Sequence, residues 1–459
     1  MLKIDYSLKP EDLIPKLRKF WELSGKKILL IEKEYDSEEG SPVFTINGKY
    51  TSRGWTDWTQ GFEFGSAILQ FDATDDHRFL ELGRGKIVKN MAGHVSHTGV
   101  HDHGFNNVST YGNLLRLIRE GKIPFNPWEA SFYELALKIS GAIQASRWTG
   151  IQEGGFIYSF NGPHSLFIDT IRSCRILALS HSLGHYLLGE QDEPVSLLGR
   201  LLDHLRTTAK YSVYYGNGRD IYDIPGRIAH ECIFNIISGD FRCPNTQQGY
   251  SPFSTWTRGL SWAILGFTEE LEYLTELPDD ELNLFGGRKE IESVLLKAAK
   301  VVAEFYIEHT PVDGIPYWDT RAPDLNKIGD YLNHPANPFN EFEPVDSSAA
   351  AIAAQGLLRL GHCLADSKND MAERYRQAGI TVLNTLLDEP YLSTGPQHHG
   401  LLLHTVYHRP NNWDHTPDGS RIPNGESGMW GDYHLREVAL YLQKMLNKEQ
   451  YYAFYNCLL

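Results

Sequence analysis

The chain has 459 residues, of which 41% are apolar, so it can bury a large core and is not a disordered protein. Its formal net charge of −15 is offset by no basic cluster, which argues against nucleic acid and anionic membranes as partners. No apolar run is long enough to cross a bilayer, and the first residues lack the apolar segment of a signal peptide. We therefore expect a cytoplasmic protein.

Apolar residues recur at helical spacing through most of the chain, and alternating, strand-like runs are few. The spacing predicts twelve helices, near residues 10–33, 60–72, 75–91, 104–121, 128–145, 165–182, 192–214, 255–276, 287–309, 346–363, 367–387 and 431–447. The longest loops between them are 215–253, 311–344 and 388–430. No low-complexity linker divides the chain, so we predict a single domain over residues 1–459. The five scattered cysteines indicate reduced thiols rather than a disulfide framework or a zinc site.

The even-numbered predicted helices differ in composition from the odd-numbered ones. Several even helices carry small residues on their apolar faces, as in Gly65-Ser66-Ala67 and in Ala263 with Gly266. The odd helices carry more charge, as in Arg200 and Asp203 of the seventh. Small-faced inner helices that alternate with amphipathic outer helices are what a closed ring of six helical hairpins requires. The sequence therefore predicts an all-α fold, an (α/α)6 barrel.

Unusual motifs lie at or near the start of each even helix. In chain order they are Trp58-Thr59-Gln60-Gly61-Phe62, His101-Asp102-His103-Gly104-Phe105, Phe167-Ile168-Asp169-Thr170, Ser254-Thr255-Trp256-Thr257-Arg258-Gly259, Asp346-Ser347-Ser348 and Trp430-Gly431-Asp432-Tyr433. Parallel inner helices bring all six N-termini to one mouth of the barrel. Because helix N-termini present unpaired N–H groups and a positive dipole end, that mouth suits an anion such as a carboxylate.

Asp and Ser at helix starts are most simply explained as N-caps, and we interpret Asp346 and Ser347 in this way. For Asp102 and Asp169 we favour a chemical role, because Gly-Phe follows the first and the second lies beyond the cap suggested by Ser165. Two carboxylates in one pocket repel each other, and burial penalises both charges, which keeps one of them protonated near neutral pH. We therefore expect the carboxyl group of Asp169, beside Asp102, to titrate higher than a free one.

These motifs resemble those of the unsaturated glucuronyl hydrolases, family 88 of the glycoside hydrolases. The resemblance rests on the motifs at Trp58, His101 and Asp169, and on further stretches in collinear order: Gln248 to Ala263, Gly314 to Asp319, Ala322 to Asp324, Asp346 to Ala354 and Met429 to Tyr433. It covers nearly the whole chain and is rich in Trp and Gly. The family implies the same (α/α)6 barrel, and it implies no cofactor and no metal.

The resemblance also implies a reaction that hydrates a double bond. Its substrate is an oligosaccharide, produced by a polysaccharide lyase, with a 4,5-unsaturated uronic acid at the non-reducing end. By resemblance, Asp169 protonates C4 and then draws a proton from the water that attacks C5, while Asp102 is the second essential aspartate. The hemiketal so formed releases the next sugar and a ring-opened keto acid. The implied substrate-binding residues are Trp58, His101, His230, Gln248, Trp256, Arg258, Trp262, Tyr407 and His408.

The chain departs from the family pattern at several places. Gln60 stands where the family usually has an acidic residue, and the segment between Asp169 and His230 is longer than usual. No tryptophan matches the one that precedes the catalytic aspartate in the family, and Phe160 is the candidate to fill its space. These departures concern the identity of the leaving sugar more than the chemistry.

Three other functions are compatible with parts of the sequence. His97, His101-Asp102 and Asp169 mimic the metal-binding set of all-helical phosphohydrolases. A sugar epimerase on the same barrel would use paired histidines, for which His398-His399 and His404 are candidates. A non-catalytic glycan-binding module would keep the aromatic mouth but would have no need for the two aspartates.

Overall fold

The long helices form two concentric rings in the part of the chain that the computed structural model describes, residues 1–36, 39–53, 58–365 and 370–458. In chain order they are α1 (Ile14–Glu34), α2 (Gln60–Thr74), α3 (His77–Asn90), α4 (His103–Asn107, a π-helical turn Val108–Gly112, and Asn113–Arg119), α5 (Pro127–Ser146), α6 (Thr170–Ser173 and Arg175–Ser182), α7 (Leu197–Tyr211), α8 (Thr257–Leu274), α9 (Arg288–His309), α10 (Ser347–Cys363), α11 (Asp370–Leu386) and α12 (Met429–Asn447).

The even-numbered helices form the inner ring. Helix α2 contacts α4, α4 contacts α6, and the series continues through α8, α10 and α12 back to α2. The odd-numbered helices pack outside them, as α1 does against α2 and α12. Helix α8 is buried along its whole length, as expected for an inner helix. The predicted (α/α)6 barrel is therefore confirmed, whereas the prediction of a single domain stays a prediction.

Small residues let the inner helices approach one another closely. A Cβ atom at Gly65 of α2 would lie 2.5 Å from the main-chain oxygen of Ser109 in α4. A Cβ atom at Gly266 of α8 would lie 2.6 Å from the side chain of Ile171 in α6. Neither distance leaves room for a methyl group. The small faces predicted for the even helices are thus contact faces between inner helices.

Short antiparallel strands occupy several connections between helices. Three two-stranded pairs join Phe44–Ile46 to Lys49–Thr51, Trp148–Gly150 to Gly155–Ile157, and Leu187–Leu188 to Pro194–Val195. A three-stranded sheet has the order Ser165–Phe167, Glu231–Phe234, Phe241–Asn245. No described helix combines the length and the apolar character that a bilayer span requires.

The three-stranded sheet corrects two predictions. The segment 165–182 is not one helix, because Ser165–Phe167 is a strand and α6 begins only after Asp169. Ser165 does not cap a helix; its hydroxyl group donates a hydrogen bond to Glu231 of the neighbouring strand. The predicted loop 215–253 contains the other two strands. Of the predicted helix 367–387, residues 367–369 lie outside the described part of the chain.

Candidate active site

A cavity of about 310 Å³ opens where the N-terminal ends of the inner helices meet. Ten of the eleven residues predicted for the site line it: Trp58, His101, Asp102, Asp169, Gln248, Trp256, Arg258, Trp262, Tyr407 and His408. They come from the starts of α2, α4, α6 and α8 and from the loop before α12. The predicted mouth of the barrel is therefore where these residues meet, although they are spread over 350 positions of the chain.

Asp102 and Asp169 occupy equivalent positions on neighbouring inner helices. Each is the residue before its helix, α4 and α6 respectively, and neither side chain accepts a capping hydrogen bond. By contrast, the side chain of Asp346 accepts a hydrogen bond from the backbone N–H of Ser348, 3.1 Å away, so its assignment as an N-cap is confirmed. Ser347 is not the cap; its hydroxyl donates to the main-chain oxygen of Leu403. Asp102 and Asp169 thus keep their carboxyl groups for the cavity.

The imidazole of His101 lies between the two carboxyl groups. Its Nε2 is 3.3 Å from Asp169 Oδ1 and 3.8 Å from Asp102 Oδ1. The main-chain oxygen of His101 accepts hydrogen bonds from Gln144 Nε2, at 2.9 Å, and from the hydroxyl of Ser173. Helices α5 and α6 therefore hold the loop that carries both His101 and Asp102.

This arrangement separates the proton affinities of the two carboxyl groups. Burial raises the pKa of Asp102, and the nearby Asp169 adds to the effect more weakly than His101 opposes it. Burial also raises the pKa of Asp169, but its hydrogen bond with His101 and the nearby charges of His101 and Arg258 together bring it below its usual value. The two carboxylates outweigh the burial of His101 and raise its pKa.

The expectation that Asp169 titrates higher than a free carboxyl is therefore wrong, and Asp102 is the group with the raised pKa. The physical reason is the position of the imidazole. His101 donates its hydrogen bond to Asp169 rather than to Asp102, and a hydrogen bond to the charged form of an acid favours that form. The sequence does not reveal which of the two carboxyl groups receives this bond.

His230 is the predicted site residue that does not line the cavity. It is buried between the rings of Phe167 and Trp256, and its Nδ1 accepts a hydrogen bond from the backbone N–H of Gln247, at 2.9 Å. Burial lowers the pKa of His230 to about 4, so the ring is neutral. A neutral ring that accepts at Nδ1 carries its proton on Nε2. His230 therefore supports the backbone beside Gln248.

The guanidinium of Arg258 is buried at the wall of the cavity and is already well bonded. It contacts Asp346 Oδ2 at 3.1 Å and Gln248 Oε1 at 2.8 Å, and it donates to the main-chain oxygens of Val406 and Tyr407. These bonds join α8, the start of α10 and the loop before α12. A long loop is thus attached to the rigid barrel at the point where it supplies two residues to the cavity.

Aromatic rings form much of the cavity wall. Trp58 stacks on Trp430 with 5.3 Å between ring centroids and donates from Nε1 to the hydroxyl oxygen of Tyr407, at 3.4 Å. The carboxylate of Asp414 accepts hydrogen bonds from the backbone N–H groups of Tyr407 and His408. A flat, apolar wall with polar edges suits the faces of a sugar ring.

Six further residues line the cavity that the sequence reasoning did not assign to substrate binding: Arg53, Phe105, Phe160, Gln247, Asn411 and Trp413. Phe160 was predicted to fill the space of a missing tryptophan, and it stacks on His101 at 6.0 Å with nearly parallel rings. Phe105 belongs to the motif that begins at His101, and Gln247 directly precedes Gln248, so the sequence contained a signal for both positions. Arg53, Asn411 and Trp413 lie in loops without a recognisable motif; the guanidinium of Arg53 packs 4.6 Å above the ring of Trp413.

Other sequence candidates lie away from the cavity. Gln60, at the position that is usually acidic in the family, contacts His94 at 2.7 Å. His398 contacts the main-chain oxygen of Gly425, His404 accepts from the N–H of Gly425, and His399 contacts Glu34. The histidines proposed for an epimerase therefore have structural contacts: they hold parts of the loop before α12 together and attach it to the end of α1. Across the described residues, no three His, Cys, Asp or Glu side chains are grouped so as to hold a metal ion, including the set proposed for a phosphohydrolase.

Fold and site together define the class of the protein. It is an (α/α)6-barrel protein whose open end carries two carboxyl groups among aromatic rings, and a pair of carboxylates is the usual apparatus of glycoside hydrolases. Comparison with known proteins identifies more specific relatives within this class. No family model matches the chain.

Two curated relatives differ in how much of the chain they cover. An unsaturated glucuronyl hydrolase of Formosa agariphila is 29% identical over 249 residues, which are 54% of this chain and 49% of the relative. An unsaturated chondroitin disaccharide hydrolase of Streptococcus agalactiae is 23% identical over 425 residues, 91% of this chain and 89% of the relative. The chain thus spans about half the length of the first relative and most of the second.

Solved structures agree with these matches in fold. The unsaturated glucuronyl hydrolase of Bacillus sp. GL1 superposes with a TM-score of 0.68 at 20% identity, covering 93% of this chain and 97% of that one. A heparin-specific unsaturated glucuronyl hydrolase gives a TM-score of 0.72 at 20% identity, covering 95% and 98%. The chain is similar in sequence to unsaturated glucuronyl hydrolases, as its motifs predicted, and it has the same fold.

Proposed function

We propose that this protein hydrolyses oligosaccharides that carry a 4,5-unsaturated uronic acid at the non-reducing end. The observation that carries the proposal is the group formed by Asp102, His101 and Asp169 in a cavity walled by tryptophans. The names of the relatives support the proposal: one is an unsaturated glucuronyl hydrolase and the other an unsaturated chondroitin disaccharide hydrolase. One solved relative is a variant in complex with a saccharide that begins with dGlcA.

In this proposal Asp169 carries the proton transfer to carbon. The pKa directions favour an ionised Asp169 and a protonated His101 before substrate binds. In the proposed pose the uronate carboxylate lies nearer to Asp169 than to His101. It therefore raises the pKa of Asp169 more than that of His101, and the proton moves from His101 Nε2 to Asp169 across their 3.3 Å contact. Asp169 then protonates C4 of the vinyl ether. Positive charge develops at C5 and the ring oxygen beside the carboxyl group of Asp102, whose ionised form stabilises that charge.

The second half of the reaction adds water. The carboxylate of Asp169, having given its proton to C4, accepts one from the water that attacks C5. The product is a hemiketal, which opens to a keto acid and releases the next sugar with its hydroxyl group restored. One water is consumed, and one glycosidic bond is broken. Asp169 is thereby protonated again, and transfer of this proton back to His101 restores the state that precedes substrate binding.

The cavity also suits the charge and the shape of this substrate. Arg258 lies in the wall as a buried cation, and the positive dipole ends of α4, α6 and α8 lie beside the same space. Trp58, Trp256 and Trp262 offer faces to the sugar rings. We infer that the substrate arrives as the product of a polysaccharide lyase, because lyases generate the C4=C5 double bond.

The direct test is a panel of unsaturated disaccharides whose double bond absorbs in the near ultraviolet. Hydration removes the double bond, so we expect the absorbance to decay in the presence of the protein. The matched saturated disaccharides should release no sugar. If no unsaturated disaccharide of the panel loses its absorbance, the proposed function is wrong.

A second experiment separates hydration from displacement at the anomeric carbon. In heavy water, hydration fixes a solvent deuteron on C4, whereas displacement leaves C4 untouched. NMR of the keto acid, recorded before the ketone exchanges its neighbouring protons, measures the deuterium content at C4. Early product without deuterium at C4 would favour ordinary glycoside hydrolysis.

A further inference from the structure

Helix α5 of the outer ring has two apolar faces, and the barrel uses only one of them. The inward face, which includes Ala130, Tyr133, Ala136 and Leu137, is buried against α4 and α6. On the opposite face lies what we call the α5 seam: Phe125, just before the helix, followed by Trp128, Phe132, Leu135 and Ile139. These five residues are 38% to 84% exposed. A helix that is apolar on both sides is expected to be buried on both.

The spacing of the α5 seam is that of a coiled coil. Within α5 its residues, Trp128, Phe132, Leu135 and Ile139, follow one another at intervals of four, three and four, which is the alternation of a and d positions in a heptad repeat. Such a stripe packs best against another helix with the same spacing. A chance scatter of apolar residues on an outer helix is not expected to keep this register from residue 128 to residue 139.

The exposed area is large enough for a stable interface. With Val88 of α3 beside it, which is 53% exposed, the α5 seam presents roughly 700 Å² of apolar side-chain surface. Monomeric proteins rarely expose a contiguous apolar patch above roughly 300–600 Å². A standard protein–protein interface buries about 800 Å² on each partner. The α5 seam by itself supplies most of that area.

We propose that two copies of this chain associate through their α5 seams, antiparallel about a two-fold axis. The antiparallel arrangement sets Trp128 against the partner's Ile139 and Phe132 against the partner's Leu135. Each layer then combines one ring with one branched aliphatic side chain, so the interface has an even width. A parallel pair would stack Trp128 on Trp128 and Ile139 on Ile139, leaving one end wide and the other narrow.

The charge of the molecule gives the association a distinct salt dependence. Each copy carries a net charge of −15, so two copies repel each other at low ionic strength. Salt screens this repulsion and leaves apolar burial almost unchanged. The dimer is therefore expected to tighten as salt is added, opposite to the behaviour of an interface held by ion pairs.

The first test is sedimentation velocity of the full chain at micromolar concentrations, in low and moderate salt. The expected species has twice the mass of the 52.1 kDa chain, and its share rises with salt. Leu135→Lys and, separately, Trp128→Lys are expected to yield the monomer. Trp128 is 84% exposed, so its replacement leaves the fold intact. Leu29→Lys, the same kind of change on the exposed face of α1, is the matched control and should remain dimeric.

The second test determines whether the two α5 helices of the dimer are antiparallel or parallel. In a background with serine at positions 243, 363 and 457, Phe132→Cys and Leu135→Cys are purified separately, then mixed and oxidised. A cross-linked dimer is expected in the mixture and not in either variant alone.

A wild-type chain that stays monomeric at every concentration and salt overturns the proposal, as does a dimer that survives both lysine variants. Cross-linking of each variant with itself overturns the antiparallel arrangement. None of these outcomes depends on enzymatic activity.

Discussion

Asp102 and Asp169 show how position alone differentiates two chemically identical side chains. Both precede an inner helix and both are buried, yet the pKa of Asp102 lies above its usual value and that of Asp169 below it. The difference comes from His101, which approaches Asp169 more closely, at 3.3 Å, than Asp102, at 3.8 Å. The imidazole thereby holds a proton beside the carboxylate that is proposed to use it.

At this scale we predict that Asp169→Asn lowers turnover by roughly two to four orders of magnitude, the usual contribution of a general acid. The amide cannot deliver a proton, but it keeps the shape of the side chain and one acceptor oxygen, so substrate affinity should change little. The rate of absorbance loss gives turnover, and titration calorimetry with the unsaturated disaccharide gives affinity.

The control for this variant is Asp280→Asn, the same change at an exposed position far from the cavity. It should leave turnover unchanged. If Asp169→Asn retains near-normal turnover, Asp169 has no part in the proton transfer, and Asp102 becomes the candidate acid because its pKa is the raised one.

At the scale of elements, the site depends on how closely α4 and α6 pack. Gly104 lies in the first turn of α4, directly after the segment that carries His101 and Asp102. A Cβ atom there would lie 1.9 Å from the main-chain oxygen of Ser173 in α6. The hydroxyl of Ser173 in turn donates to the main-chain oxygen of His101. A π-helical turn follows at Val108–Gly112, a feature often found beside functional sites.

We therefore predict that Gly104→Ala destabilises the protein and reduces turnover together. The methyl group forces α4 away from α6, because the atom it meets belongs to the backbone and cannot rotate aside. Overpacking of this kind typically costs about 1–3 kcal/mol of unfolding free energy, and displacement of His101 from Asp169 removes activity beyond that loss. Urea unfolding and the absorbance assay measure the two effects.

Gly85→Ala in α3 is the matched control for this change. A Cβ atom at Gly85 meets nothing within 4 Å, so alanine should leave activity unchanged and add about 0.5–1 kcal/mol of stability through its better helix propensity. Equal stability and activity of the two alanine variants would contradict the argument from helix packing.

For the whole molecule, charges buried in the barrel interior determine the response to pH. Many are paired, as Arg172 is with Glu269 at 2.9 Å and with Glu437 at 2.7 Å. Burial raises the pKa of other carboxyl groups: that of Glu63 to about 8, and that of Glu272, despite its 2.8 Å ion pair with Arg359, to about 7. A carboxyl group with a raised pKa in the folded state binds its proton more tightly there than in the unfolded chain.

Buried histidines with a lowered pKa, such as His230, make the protein more stable as the pH rises to about 6.5. Above that pH the raised carboxyl groups dominate, so the free energy of unfolding should fall as the pH rises toward 8. The contribution of Glu63 is fully present below its unfolded pKa, near 4.5, and is lost as the pH rises through about 8. Each such group changes the stability by at most about 1.4 kcal/mol per pH unit. Urea unfolding at a series of pH values measures the slope.

Glu63→Gln tests the assignment, because glutamine has no proton to lose. Relative to the wild type, this variant should gain stability progressively as the pH rises and should reach a constant difference above about pH 8. Glu308→Gln, at an exposed position, serves as the control and should run parallel to the wild type. A Glu63→Gln curve parallel to the wild type would show that Glu63 is not the titrating group.

Much of the architecture was predictable because helix periodicity is a local property. The spacing of apolar residues located the helices of both rings, and small residues such as Gly65 and Gly266 distinguished inner from outer helices. The failures lie where a short apolar run fits two structures equally well. Residues 165–167 became a strand because Glu231–Phe234, more than sixty positions later, supplies their hydrogen-bond partners. No local pattern contains that information.

The sequence by itself was enough to predict the barrel fold and the motifs that meet at the mouth of the barrel. Amphipathic periodicity and helix-start signals depend only on residues that are close together in the chain. Only the tertiary structure shows that His101 bonds Asp169 rather than Asp102. It also shows that Arg258 pairs with Asp346 and donates to the main-chain oxygen of Tyr407, and that Arg53 and Trp413 line the cavity. These facts depend on distances between segments that are far apart in the chain. Burial and hydrogen bonding shift proton affinities over a few ångströms, a precision that only the packed molecule defines.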